Sequence, residues 1–217
     1  MTGLKAAFLS EGRPTVVAMT DDSGLVVGAD GRARCFWGGS TPDYLGYHDS
    51  EWGQPVRGDD AIFERMSLEA FQSGLSWITI LRKRPAFRAA FDNFSIDKVA
   101  TYSEADATRL MADVGIVRNR MKVDATLHNA RVAADLADGL SALLWSFAPS
   151  PRPPRPRTRA EVPATTPESI AMAKRLKKLG FKFVGPTTAY ALMQATGMVD
   201  DHLAGCWVPP IFPAASA

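Results

Sequence analysis

Two cysteines and three histidines are all that this 217-residue chain offers a soft or borderline metal ion, and four of the five fall into two pairs. Cys35 and His48 are separated by twelve residues, His202 and Cys206 by three. A Cys2His2 set suits tetrahedral zinc, and four protein ligands leave no position for a catalytic water. Such an ion would be structural, pinning the N-terminal segment to the far end of the chain and closing a very long loop. The alternative is two buried cysteines and two hydrogen-bonded histidines. His128, in mid-helix with no partner in view, takes that plainer reading.

Glu69 is the second chemical signal. It follows Met66 by three residues and Ile62 by seven, so it shares their apolar helix face. A carboxylate there must be paired, protonated or functional, because burying its charge alone is costly. Pairing with Arg65 or Arg82 is one solution. The flanking segments supply another, because they carry Trp37, Tyr44, Tyr47, Trp52 and Trp77. Aromatic walls around one carboxylate suit a flat cationic ring, held by stacking and cation–π attraction with its exocyclic amine on the carboxylate. Aromatics at helical spacing also build ordinary cores.

The third signal is a glycine turn. Gly180 ends one helix, and Gly185-Pro186 opens the next. Between them the backbone of Phe181-Lys182-Phe183-Val184 can approach an outside group, and a helix N-terminus is a ready anion site. Gly180, Lys182 and Gly185 are therefore the expected phosphate contacts, with an ordinary αα-hairpin as the alternative. Lys174, Arg175, Lys177 and Lys178 crowd the same place, and Arg118, Arg120 and Lys122 form a second basic cluster. Each cluster is either a solvated face or a phosphate contact.

These residues need helices to position them. A helix is predicted from 59, capped by Asp59 or Asp60 and closed by Gly74. Ser76 caps the next, and Pro85 restarts a further one with Phe87 and Phe91 inward. Ser103 and Asp106 form a capping box for 105–113. Helices at 119–137 and 140–147 follow, and Thr166-Pro167 begins the one entering the glycine turn. The architecture is all-α, roughly ten short helices. Residues 1–34 read as a peripheral arm in which Leu25-Val26-Val27 can form a small hairpin; residues 35–208 are the main domain and 209–217 a loose tail. Met19 would serve as a start, which makes the first eighteen residues a dispensable extension. PSPRPPRPRTRAEVP, 149–163, reads as a solvated loop without packing of its own.

Composition bounds the rest. A formal charge of +2 does not by itself announce a nucleic-acid protein, and 46% apolar with 22% charged residues argues against wholesale disorder. Two distant cysteines do not suit a secreted disulfide scaffold. No apolar run is long enough to span a membrane, and Ala6-Ala7-Phe8-Leu9 is too short for a signal-peptide centre. A cytoplasmic monomer is expected.

Taken together, Cys35, Tyr47-His48-Asp49, Glu51-Trp52-Gly53, Leu68-Glu69, Gly74-Leu75-Ser76-Trp77-Ile78, Gly115-Ile116 with Arg118, Gly180 to Gly185, Asp201-His202 and Gly205-Cys206 resemble the 3-methyladenine DNA glycosylase I (Tag) family. The likeness is collinear from about 34 to 207. It implies a helix-hairpin-helix glycosylase fold, zinc on Cys35, His48, His202 and Cys206, and double-stranded DNA carrying alkylated bases as partner. Glu69 would read an extruded base, Tyr47 and Trp77 would stack on it, and Trp37 and Trp52 would complete the pocket. The implied reaction is hydrolysis of the N-glycosidic bond of 3-methyladenine. The region after the turn holds Pro186-Thr187-Thr188 where lyase-competent relatives place a lysine, so no lyase step is expected. Asp200 stands where this family commonly has Asn. It would assist water attack, stabilise the sugar cation or cap the adjoining helix. Two rival readings are a zinc-stabilised DNA-binding module without catalysis and a broader-range alkylbase glycosylase using Asp200.

Overall fold

The helix signals become nine α-helices in the computed structural model, which describes residues 23–211. An antiparallel hairpin comes first, β1 (Leu25–Val27) and β2 (Ala33–Cys35), with Leu25 opposite Cys35. Then follow α1 (Pro42–Ser50), α2 (Asp59–Gln72), α3 (Trp77–Ala90), α4 (Ile96–Ala100) and α5 (Glu104–Ala112). The chain finishes with α6 (Arg120–Ala134), α7 (Leu140–Trp145), α8 (Pro167–Lys178) and α9 (Pro186–Ala195). The all-α class expected is the one observed, with the small hairpin as its one sheet among the described residues. The dispensable extension, the short apolar stretch at 6–9 and most of the expected tail lie outside the described residues.

α2 is the central helix. Ile62, Phe63, Met66, Leu68 and Phe71 are each at most 3% exposed, which is more than one apolar stripe, and α3, α6, α7 and α9 pack around it. A helix apolar on several sides belongs inside. Phe71, Phe87, Phe91 and Phe94 carry the core onward, the last two stacked with centroids 5.3 Å apart. A second, smaller core joins Cys35, Leu203, Cys206 and Val208, and onto it pack Leu25, Trp37, Val162 and Trp207. The hairpin is therefore seated on the far end of the chain. Trp207 N–H donates to Ala33 O (2.8 Å), and buried Arg34 grips Asp30 and Asp49 at 2.6 and 2.8 Å.

Several local expectations change in the fold. Gly58, not Asp59 or Asp60, is the N-cap of α2. The two carboxylates cap neighbours instead: Asp59 accepts from Ser141 N–H (2.7 Å) and Asp60 from Ile96 N–H (2.8 Å), satisfying free amides at the starts of α7 and α4. Pro85 does not restart a helix. α3 runs through it, with Pro85 on the exposed side. α6 and α7 stop at Ala134 and Trp145, short of the expected ends. The capping boxes at Ser103/Asp106 and Thr166/Ser169 both form.

The Pro/Arg stretch is also corrected, because it packs. Arg155 donates to Asp200 (2.8 Å) and to the carbonyls of Val208 (2.7 Å) and Pro209 (3.0 Å). Arg152 donates to Gly197 O (3.1 Å), and Pro156 O accepts from Ala204 N–H (2.8 Å). Proline supplies the extended path, and the arginines tie it to carbonyls that no helix consumes.

Candidate active site and metal centre

A cavity of about 420 Å³ opens beside α2. Its walls come from four places: Trp37 before α1, Tyr44 and Tyr47 on α1, Trp52 after it, and Trp77 at the start of α3. Glu69 and Gln72 of α2 face it, as do Gln194 of α9 and Asp201. All five residues expected around a flat ring (Glu69, Tyr47, Trp77, Trp37, Trp52) thus meet in one chamber. Their rings tilt rather than stack: Tyr47 and Trp77 lie 5.5 Å apart at 44°, and Trp37 meets Trp52 edge-on at 5.0 Å. Tyr44 fixes one wall, its hydroxyl accepting from Ile78 N–H (3.0 Å) in the first turn of α3.

Glu69 is 7% exposed, and neither pairing raised for it forms. Arg65 goes to Glu51 (2.5 Å), which also holds Arg84, and Arg82 goes to Asp43 (2.8 Å). Burial pushes the Glu69 carboxyl up to about 8, and the Arg65 charge one turn away offsets only part of this. The Tyr47 hydroxyl is also pushed up, first by burial and then by the Glu69 charge. Trp77 adds a buried indole N–H without a protein partner. The chamber is apolar, aromatic and equipped with a carboxyl whose charge the protein does not neutralise.

Behind Trp37 and Trp52 lie the four sulfur and nitrogen ligands. One ligand atom each from Cys35, His48, His202 and Cys206 falls within 4.8 Å of the others. The Cys206 sulfur stands 3.6 Å from His48 Nε2 and 3.6 Å from His202 Nδ1, and the Cys35 sulfur 3.8 Å from His202 Nδ1. Tetrahedral zinc with its usual bond lengths would set such S···N pairs about 3.5 Å apart. The outer ring nitrogens are engaged as well: His48 Nδ1 meets Asp49 Oδ1 at 2.8 Å and His202 Nε2 meets Trp52 O at 3.1 Å. Those bonds turn the inner nitrogens toward the cluster. Leu203 N–H donates to the Cys35 sulfur (3.4 Å), as it would to a thiolate. With protons alone the two thiols act on one another: the hydrogen bond from Cys35, with help from His202 and His48, holds Cys206 well below the usual thiol range, while that partner and burial push Cys35 up. Only glycine fits at position 38, where a Cβ would stand 2.5 Å from the His48 ring. The donor set and its geometry fit a tetrahedral metal ion.

The glycine turn joins α8 to α9. Gly180 takes φ +99°, a region that favours glycine, and Phe183 takes φ +56°. Two residues of α6 clamp it: Asn129 donates to Lys182 O (3.0 Å) and accepts from Lys182 N–H (2.8 Å), and His128 Nε2 meets Gly180 O at 2.9 Å. His128, expected to be merely satisfied, is satisfied by the turn itself. Lys174, Arg175, Lys177, Lys178 and Lys182 are exposed around it, and space beside Gly185 is open. The second basic cluster is not a patch. Arg120 is paired with Glu104 and Asp124, and Lys122 is buried with its ammonium on Phe71 O (2.8 Å) and Ser73 O (2.6 Å), leaving Arg118 exposed.

Sequence reasoning missed Asp201 and Gln194, which line the chamber together. Asp201 accepts from Tyr190 O–H (2.6 Å) and Gln194 Nε2 (2.7 Å). Neighbouring Asp200 does not line the chamber; besides Arg155 it accepts a long bond from His202 N–H (3.4 Å), which is a local turn and not a helix cap. A carboxylate next to a candidate metal-ligand histidine was visible in the sequence, but which of two adjacent ones faces inward was not.

A helical fold that sets a buried carboxyl in an aromatic chamber defines a class of base-binding proteins, and comparison with known proteins gives the class its family. Residues 37–209 match the family model described as methyladenine glycosylase. The chain belongs to the methyladenine glycosylase family. It is 44% identical over 181 residues to DNA-3-methyladenine glycosylase 1 of Escherichia coli (strain K12), covering 82% of this chain and 97% of that protein. DNA-3-methyladenine glycosylase of Haemophilus influenzae is 41% identical over 179 residues, 80% of this chain and 96% of that one. Among solved structures, 3-methyladenine DNA glycosylase I of Staphylococcus aureus, solved to explain 3-methyladenine recognition, superposes with a TM-score of 0.78 at 34% identity, covering 82% of this chain and 97% of its own.

Proposed function

We propose that this protein is a DNA base-excision glycosylase that hydrolyses the N-glycosidic bond of 3-methyladenine in alkylated duplex DNA, without a lyase step. One observation carries the reading: Glu69, buried in an aromatic chamber, has no protein cation committed to it. A cationic purine supplies what the chamber lacks. Its ring lies against Tyr47, Trp77, Trp37 and Trp52, and its amine donates to the Glu69 carboxylate. Neutral adenine can stack and donate its amine but brings no positive charge to the aromatic walls or to the carboxylate, so the chamber discriminates by charge.

Methylation at N3 makes the base a good leaving group before the protein acts. The bond from C1′ to the base breaks with its electron pair going to the ring, which leaves as neutral 3-methyladenine. Water adds to the sugar cation at C1′, and its proton passes to solvent. Chamber residues hold the ring and stabilise its charge while the strand is kept extruded. Gly180, Lys182 and Gly185 would hold the phosphate backbone through the turn amides and the surrounding lysines. Cys35, His48, His202 and Cys206 would hold structural zinc, which supplies no reacting group and fixes the histidines against which Trp37 and Trp52 rest.

The test is release of free base from alkylated duplex DNA by the native protein and by Glu69→Ala, with DNA binding of both measured at one salt concentration. Release by the native protein, lost in a variant that still binds DNA, is the expected result. Binding by both with release by neither would replace this reading with a DNA-binding module without catalysis.

A further inference from the structure

Two neighbouring pockets share Glu69, Gln72 and Ala191, and α9 runs along both. At one end Gly74, Leu75, Thr187 and Thr188 lead away from Glu69 toward the start of α9 and the turn. At the other end, past Gln194, the wall is Phe36, Arg159 and Val162. From Thr187 to Gln194 is about 10 Å along the helix. Base chamber and turn therefore account for the middle and one end, and the other end ends in a cation.

Arg159 differs from Arg152 and Arg155 of its loop, and of the exposed Arg157 and Arg159 it is the one that lines the cavity. Arg155 is committed to Asp200 and two carbonyls, and Arg152 donates to Gly197 O. Among the described residues Arg159 has no carboxylate partner; its exposed guanidinium lies 4.3 Å from the centroid of the Phe36 ring. Phe36 is 42% exposed and is held out by the hairpin, its N–H donating to Gly24 O (2.9 Å). The hairpin also presses on Arg159, since a Cβ at Gly24 would sit 3.1 Å from Arg159 Cβ. Phe36 and the hairpin precede residue 37, where the family match begins.

A fixed cation in the wall of a chamber for a cationic ring repels its ligand unless an anion comes with that ligand. Every extruded base brings one, the phosphate of its own strand. We propose that Arg159, oriented on the face of Phe36, is a phosphate-binding site for the DNA strand flanking the extruded nucleotide, on the side away from the α8–α9 turn. The proposal rests on the glycosylase reading for what fills the chamber; the contact itself requires only a DNA strand.

The experiment uses the full chain and a duplex with a tetrahydrofuran abasic site, titrated at several KCl concentrations with native protein, Arg159→Ala, Arg159→Lys and Glu69→Ala. Arg159→Ala is expected to weaken binding roughly tenfold at low salt and to flatten the slope of log K against log salt by about 1. Arg159→Lys keeps the native slope. Affinity for free 3-methyladenine, read from tryptophan fluorescence, stays within about twofold in Arg159→Ala, because the lost contact is to the strand. An unchanged slope in Arg159→Ala overturns the proposal, as does a lysine variant that behaves like alanine. So does a loss of free-base affinity in step with DNA affinity, which would make the Arg159 contact one to the base and not to the strand. If the native protein releases no base while Arg159→Ala still flattens the slope, the catalytic reading falls and the phosphate site stands.

Discussion

The protonation of Glu69 is set by its surroundings, and this has a cost in stability. Its folded value near 8 lies above the ordinary 4.5, so folding favours the neutral acid. That advantage is complete below pH 4.5 and is lost as pH rises through about 8, with a ceiling of about 5 kcal/mol at ~1.4 kcal/mol per unit. Glu69→Gln, neutral at every pH, should therefore leave Tm nearly unchanged at pH 5 and raise it by several degrees above pH 8, followed by calorimetry at both pH values. The same sign governs function. A cationic base favours the carboxylate, so binding releases a proton, and kcat/KM for base release should rise between pH 6 and 8 in the native protein. In Glu69→Gln the profile should be lower and flat. A native profile without that rise would mean that Glu69 is not the group meeting the charge.

Among the elements, the Pro/Arg loop contributes most beyond what its composition announced. Arg155 and Asp200 are both 10% exposed and bonded at 2.8 Å, so cutting the pair leaves a buried charge alone. Arg155→Ala should destabilise the fold by about 3 kcal/mol, measured by urea unfolding. Asp200→Asn, still able to accept from Arg155, should keep nearly the full rate of base release; a hundredfold loss would return Asp200 to the chemistry. None of this docking was legible in the sequence, where a run of prolines and arginines says nothing about carbonyls 45 to 54 residues further on. Asp59 and Asp60 teach the same lesson: an aspartate at a helix start looks like its cap until the fold offers better amides elsewhere. What was legible was chemistry with few alternatives. Two cysteines and two histidines in paired spacings marked a candidate metal set, Glu69 among apolar neighbours had to be paired, protonated or functional, and glycine, proline and capping boxes marked the helix ends locally. The facing of Asp201 rather than Asp200, and the burial of Lys122, depended on tertiary packing that no short window contains.

Across the whole molecule, the Cys2His2 cluster and the chamber share walls. Trp37 meets the His48 ring at 5.1 Å, and Trp52 meets the His202 ring at 4.8 Å. Removing a bound ion with a strong chelator should lower Tm, shift tryptophan fluorescence and weaken base binding together, with zinc restoring all three. A chelated protein that keeps its base affinity would separate the two sites. The cluster also joins side chains 158 residues apart, His48 and Cys206, across a small core that seats the first hairpin on the last turns of the chain. This gives the protein a timing in biosynthesis. α1 to α9 can emerge from a ribosome and begin to pack, yet Trp52 has no His202 ring to rest on until the last turns of the chain are out. A chain interrupted before that point would carry Glu69 and its aromatic neighbours without Gln194, Asp201 and Leu203 facing them, so the chamber takes its shape only when nearly the whole chain has been made.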